Sequence, residues 1–414
     1  MPIDARDHRT RAPRPSPVQT PTLIGGLGLA LAFCVACTPA RASPPAIGGS
    51  STEPDQRSEG TPSCDLSEAS FSPSGWRTDF TRCIVPLREF RSGGPPRDGI
   101  PPIDAPRFES VAQADVWLRP REPVIYLELQ GEARAYPLQI LTWHEIANDN
   151  VGATPVAVTF CPLCNTAIVF DRRLDDRLLD FGTTGNLRLS DLVMWDRQTE
   201  TWWQQVTGEA LVGELAGRRL AMMPAGIIAW SEFRRQRPGG RVLSRDTGFQ
   251  RDYGRNPYVG YDDVSQSPFL FAGPSDGRLR PMERVVTVSL GGQHVAYPFS
   301  ALRERRVIAD DVGRQRIVVL FEPGAASALD AAQIATSRDV GATAVYLAAI
   351  DGRSLTFSWQ DDAFVDAETG TQWTLLGEAA AGPLEGSRLE PVIHTDAFWF
   401  ASAAFFPTIR IWSP

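Results

Sequence analysis

Two cysteines separated by two residues, Cys161-Pro162-Leu163-Cys164, are the side chains of this sequence best suited to chemistry. A tight turn of that length brings both sulfurs to one point, where they can hold a metal ion or exchange a disulfide. His144 precedes them on what reads as a helix, and its imidazole is the third candidate ligand. Two thiolates and an imidazole suit Cu(I), which is content with few ligands, and equally suit zinc with one further ligand or a water. Glu145 is the candidate for that fourth position or for a supporting partner. The expectation is one copper or zinc ion on Cys161, Cys164 and His144, with Glu145 beside it.

Two other readings stay open. In one, Cys161 and Cys164 are the catalytic pair of a thiol–disulfide oxidoreductase, with His144 lowering a thiol pKa. Against it, such pairs open a helix, whereas the residues after Cys164 read as a strand. In the other, the two cysteines form an inert disulfide and His144 is a hydrogen-bonded core histidine. The protein is then a non-catalytic ligand-binding or structural protein, with its ligand in a groove lined by Trp202, Gln204, Gln205, Arg251, Tyr253, Arg255 and Tyr258. Asp191 and Asp196 form a weaker carboxylate pair, and Asp196 looks like turn chemistry.

The elements that must position these groups occur twice. The stretch from Val124 aligns without a gap with the stretch from Val285, at a constant offset of 161 positions. Tyr136, Pro137, Asp149, Val151, Gly152, Phe160 and Pro162 meet identical partners, while His144, Cys161 and Cys164 meet Arg305, Glu322 and Ala325. Glu145 meets Arg306. Only about 10 of the 32 positions from Tyr136 to Ala167 are identical, so this joint loss draws its weight from the residue types involved. The likeness continues from Asp196, Thr199 and Trp203 to Asp366, Thr369 and Trp373. Gln204 and Gln205 become Thr374 and Leu375.

Within the first copy, Val124–Leu129 and Ala133–Tyr136 read as a hairpin about Gly131. Pro137 opens a helix that Asn150-Val151-Gly152 stops, Val156–Phe160 reads as a strand leading into Cys161, and Ala167–Phe170 as another. Asp149, kept as Asp310, is expected to cap a turn. The fold class is α+β and β-dominated, a tandem duplication of one β-rich unit forming a pseudo-two-fold body. Repeat one runs over residues 123–238, an inter-repeat loop over 239–283 and the degenerate repeat two over 284–407.

The N-terminus sets the compartment. Four arginines precede an uncharged run from Leu23 to Ala36, too short and Gly-rich to span a bilayer comfortably, so residues 1–36 read as a signal peptide. Val35-Ala36-Cys37 resembles a lipoprotein signal with Cys37 as the acylated residue. Cleavage after Ala40-Arg41-Ala42 or an uncleaved anchor are the alternatives. Residues 37–63 read as a disordered tether and 64–122 as a strap, with Cys64 and Cys83 expected to form a disulfide. The expected place is outside the cytoplasm, in the periplasm or on the outer surface, held to the membrane by lipid. A formal charge of −8 without a basic stripe argues against nucleic acid as a partner.

The strings HEIANDNVG, VAVTFCPLCNTAIVFDR, SDLVMWDRQTETWWQQVTGEALVGEL and RDYGRNPYVGYD together resemble the bacterial domain-of-unknown-function family numbered 3179. GGPPRDGIPPIDAPRFES, from Gly93, looks like its N-terminal stretch. The resemblance runs from about Gly93 to Pro407 and implies an extracytoplasmic bacterial protein. It supplies no reaction. Asn165 stands where such sequences often carry Gly, a change compatible with a left-handed turn position.

Overall fold

A computed structural model describes residues 64–414. The expected signal peptide, the tether and the acylation of Cys37 fall outside the described residues. Among the described residues strands dominate, and the helices are short, none longer than seven residues. Among the described residues no helix is long and apolar enough to cross a membrane.

The expected hairpin forms between Pro123–Leu129 and Glu132–Pro137, with Gln130 and Gly131 at positive φ in the two-residue turn. Pro137, at φ −61°, caps the helix Leu138–His144. That helix ends earlier than the sequence implies. Glu145 takes a φ of +59° and turns the chain straight into the strand Ile146–Val151, so Ile146 to Val151 extend a sheet instead of a helix. The apolar spacing there is shared by both periods, and pairing with Thr154–Cys161 about Gly152 decides between them.

All eight residues of Thr154–Cys161 are buried, between Ile146–Val151 and Thr166–Asp171. Each fully buried Val or Phe contributes roughly 1.5–3 kcal/mol. The strand that delivers Cys161 is therefore among the most firmly held parts of the molecule. Cys161 and Thr166 are the last paired residues, and Pro162 to Asn165 form the tight turn, with Asn165 at φ +56°.

The second half runs through the same elements. Arg284–Leu290 pairs with Gln293–Pro298, Phe299–Arg305 is the helix, and Val307–Val312 pairs with Gln315–Glu322. Arg306 repeats the backbone of Glu145 with φ +66°. A left-handed φ costs a residue with a Cβ about 1–2 kcal/mol, and its repetition ties that strain to the fold and not to chemistry at one site. Asp149 accepts from the Tyr136 hydroxyl at 2.6 Å, as Asp310 does from Tyr297 at 2.7 Å. It braces strands in place of capping a turn. Asp196 does have turn chemistry: it accepts from the Thr199 amide and from Trp203 Nε1, and Asp366 does the same for Thr369 and Trp373.

The strap is tied by the expected disulfide between Cys64 and Cys83. Residues 239–283 contribute the strand Arg241–Leu243 and then cross between the halves. The amides of Asn256, Gly260 and Tyr261 donate to the carbonyls of Ala332, Asp330 and Leu329.

Candidate functional site

The site is assembled where three elements end. The strand Thr154–Cys161 and the turn after it supply both thiols. The helix Leu138–His144 ends at Glu145, whose carbonyl accepts from the Phe160 amide at 2.8 Å, which locks the helix end to the strand just before Cys161. The third element is the hairpin of Phe181–Arg188 and Asp191–Asp196, closed by Leu189 and Ser190 at positive φ. Its tip meets the turn through the Cys164 thiol, which donates to the Ser190 carbonyl at 3.5 Å. That contact sets Asp191 opposite the two cysteines.

Cys161, Cys164 and Asp191 are all buried, and one donor atom from each lies within 4.8 Å of the others. The two cysteines are separate thiols, so the inert disulfide of the third reading is not formed. Asp191 Oδ2 accepts from Gln204 Nε2 at 2.7 Å and from the Val206 amide at 3.0 Å, while Oδ1 has no hydrogen-bond partner among the described residues. Burial raises Asp191 to about 6; the hydrogen bonds from Gln204 and Val206 and the nearby thiols pull the other way. Burial likewise pushes both thiols up. Glu145, 7 % exposed, is pushed up to about 8 by burial and then by the charge of Asp191. Among the described residues neither Asp191 nor Glu145 forms an ion pair. The centre is thus a knot of acidic groups with no positive charge among them.

His144 is not part of it. Its Nδ1 lies 2.7 Å from the Pro101 carbonyl and its Nε2 2.6 Å from the Tyr253 hydroxyl, so both ring nitrogens are engaged away from the thiols. Burial lowers its pKa to about 4. The structure does not bring the expected His144 to Cys161 and Cys164; the group it brings together is Cys161, Cys164 and Asp191, because residues 144 and 145 project to different sides of the helix end. Glu145 is the one that turns inward.

The expected groove does not form either. Trp202 is buried among Phe71, Trp76, Phe80 and Phe90 and packs the strap. Gln205 pins the strands flanking the thiol turn through Thr159 and Thr166. Gln204 orients Asp191. Arg251 and Arg255 are exposed, Arg255 in an ion pair with Asp252 at 3.7 Å. Tyr253 holds His144. Tyr258 lines a cavity together with Glu145.

That cavity, about 480 Å³, also touches Leu163 of the thiol turn and Leu192 beside Asp191. Tyr261 laces its wall: the hydroxyl donates to the Leu163 carbonyl at 3.1 Å and accepts from the Phe269 amide.

Sequence reasoning named Asp191 only in a weaker carboxylate pair with Asp196 and did not join it to the thiols. The offset of 170 that lays Asp196 on Asp366 lays Asp191 on Asp361, so comparing the copies assigns it to scaffold. The hairpins align differently. The turn Leu189-Ser190 corresponds to Asp361-Asp362, and the first residue beyond it is Asp191 in one half and Ala363 in the other. Once aligned through the turn, Asp191 joins the groups that the second half lacks.

Residues 97–409 match the model of the family described as Protein of unknown function (DUF3179). Comparison with curated proteins and with solved structures gives no match.

Proposed function

We propose, for a chain that belongs to the DUF3179 family, that Cys161, Cys164 and Asp191 form a zinc centre with its fourth position toward the cavity beside Glu145. The observation that carries this reading is the buried trio with Asp191 Oδ1 unpaired. Burying a carboxylate without a partner is costly, and a dication removes the cost for all three donors at once. A tetrahedral shell with bonds of about 2.0–2.3 Å needs donors about 3.5–3.8 Å apart, so closure asks each to move less than roughly 1 Å. The carboxylate in place of the imidazole favours zinc over Cu(I), which prefers sulfur and nitrogen. Three protein donors and one open position is the pattern of catalytic more than structural zinc.

The reading takes the chain to work outside the cytoplasm, held by lipid; the basic, then apolar N-terminus supports this, and the Cys64–Cys83 disulfide suits an oxidising compartment. Two adjacent thiols survive there more readily when a metal holds them. The redox reading is less well supported. Thr166–Asp171 is a strand, so no helix N-terminus stabilises a thiolate, and burial raises both thiols where a redox pair needs one lowered.

The test is metal content per chain after purification without added metal, and again after one equivalent of zinc. About one zinc, lost in Cys161→Ser and Asp191→Asn and kept in His144→Ala, is the expected result. No zinc in the folded parent protein, or zinc kept in Asp191→Asn, overturns the reading.

A further inference from the structure

The cavity carries an inference of its own. Its walls are mostly apolar, and among the described residues Glu145 is the only charged one lining it. Glu145 is 7 % exposed, forms no ion pair, and its carboxyl has no hydrogen bond from any described residue. Tyr258 stands beside it, close enough to feel the charges of Glu145 and Cys161, and its own hydroxyl has no hydrogen-bond partner among the described residues. Tyr261 and Phe269 add two further rings. A buried carboxylate without a partner is a place reserved for a donor or a positive charge that arrives from elsewhere.

We propose that this cavity binds a small organic cation, an amine with an apolar, ring-sized body whose ammonium pairs with Glu145 among the tyrosine rings. The charge balance excludes an anion as the preferred guest. With zinc on Cys161, Cys164 and Asp191, three negative donors outweigh one dication even while Glu145 keeps its proton, so the floor of the cavity remains negative, and an arriving ammonium draws the Glu145 carboxyl into its charged form. Aromatic faces reinforce the choice, because they attract cations and contribute about 0.5–2 kcal/mol when desolvated. The volume lies within the range of about 300–1,000 Å³ usual for small-molecule sites. This adds a ligand class to the centre proposed above, but Glu145 and the cavity do not need the metal to exist.

The test is titration calorimetry of the purified full chain with benzylamine, benzyl alcohol and benzoate, run on zinc-loaded and on chelator-stripped protein. The three probes share a ring and differ in charge. Benzylamine binding at least about tenfold tighter than either other probe is expected, a difference of about 1.4 kcal/mol. Glu145→Gln should bring the three within about threefold while benzyl alcohol binding persists. Gln266→Arg, at an exposed lining position whose change leaves the core untouched, should weaken benzylamine selectively. Benzoate binding as well as or better than benzylamine, or no binding of any probe to folded protein, overturns the proposal. The zinc count on the same samples keeps the two readings apart: amine selectivity without zinc sinks only the metal centre, and zinc without selectivity sinks only this ligand.

Discussion

Replacing Asp191 by Asn separates what the centre costs from what it does. Burial raises the Asp191 carboxyl to about 6 from 3.8. In the unfolded chain the group loses its proton at the lower value, so folding is penalised as the pH rises past 3.8, and the penalty is complete above about 6. A gap of roughly two pH units is worth about 3 kcal/mol at neutral pH. Asn keeps an acceptor for Gln204 and the Val206 amide, but it places an amide group where Oδ1 has no partner. Leaving that donor unsatisfied costs about 1 kcal/mol. The metal-free variant should therefore be more stable than the parent by about 2 kcal/mol at pH 7.5, with no gain near pH 4. With an unfolding entropy of about 2.1 cal/mol/K per residue over roughly 350 residues, the gain is about 3 °C in Tm. Calorimetry in chelator at several pH values measures it, beside the zinc content of the same samples. A Tm at pH 7.5 equal to or below that of the parent refutes the argument that Asp191 is buried at a cost. Asp196→Asn is the control and should destabilise, since both oxygens of Asp196 accept hydrogen bonds that hold a turn.

Three more outcomes are expected. Because burial holds Cys161 and Cys164 above their ordinary value, both arrive at the metal protonated, and zinc affinity should rise about 100-fold per pH unit around neutrality; a slope of about tenfold, measured by competition with a chromogenic chelator, would remove one thiol from the ligand set. His144→Ala should leave zinc stoichiometry intact while costing about 1–3 kcal/mol and speeding amide exchange near Tyr253, because the Pro101 and Tyr253 contacts are lost. Loss of zinc in that variant, with the fold intact, would restore His144 to the centre. Removing the disulfide with Cys64→Ser and Cys83→Ser should cost about 3 kcal/mol for a loop of this length without changing metal content.

Much of this protein was legible in its sequence because the relevant forces are local. Gly131 and Gly152 punctuate hairpins whose flanking residues carry strand propensity, and the turn through Pro162 and Leu163 follows from the two-residue spacing of the thiols. The twofold recurrence of Tyr136/Asp149 as Tyr297/Asp310 marked scaffold correctly, since each pair makes the same hydrogen bond. The β-dominated α+β class follows from the same short alternating runs.

Tertiary structure alone decided which side chains meet at the centre. Residues 144 and 145 are neighbours in sequence, yet a single positive φ at Glu145 sends one toward Tyr253 and the other toward Asp191. The spacing of helix and strand residues fixes faces, but not the direction taken at a helix end. Asp191 comes from a separate sheet, brought to the thiols by the Ser190 carbonyl at a hairpin tip. The long-range packing that makes such a contact leaves no periodic trace in the sequence. The sequence determined that two thiols would share one turn. Only the packing of a helix end and a hairpin tip against that turn determined that a carboxylate, and not an imidazole, would lie beside them.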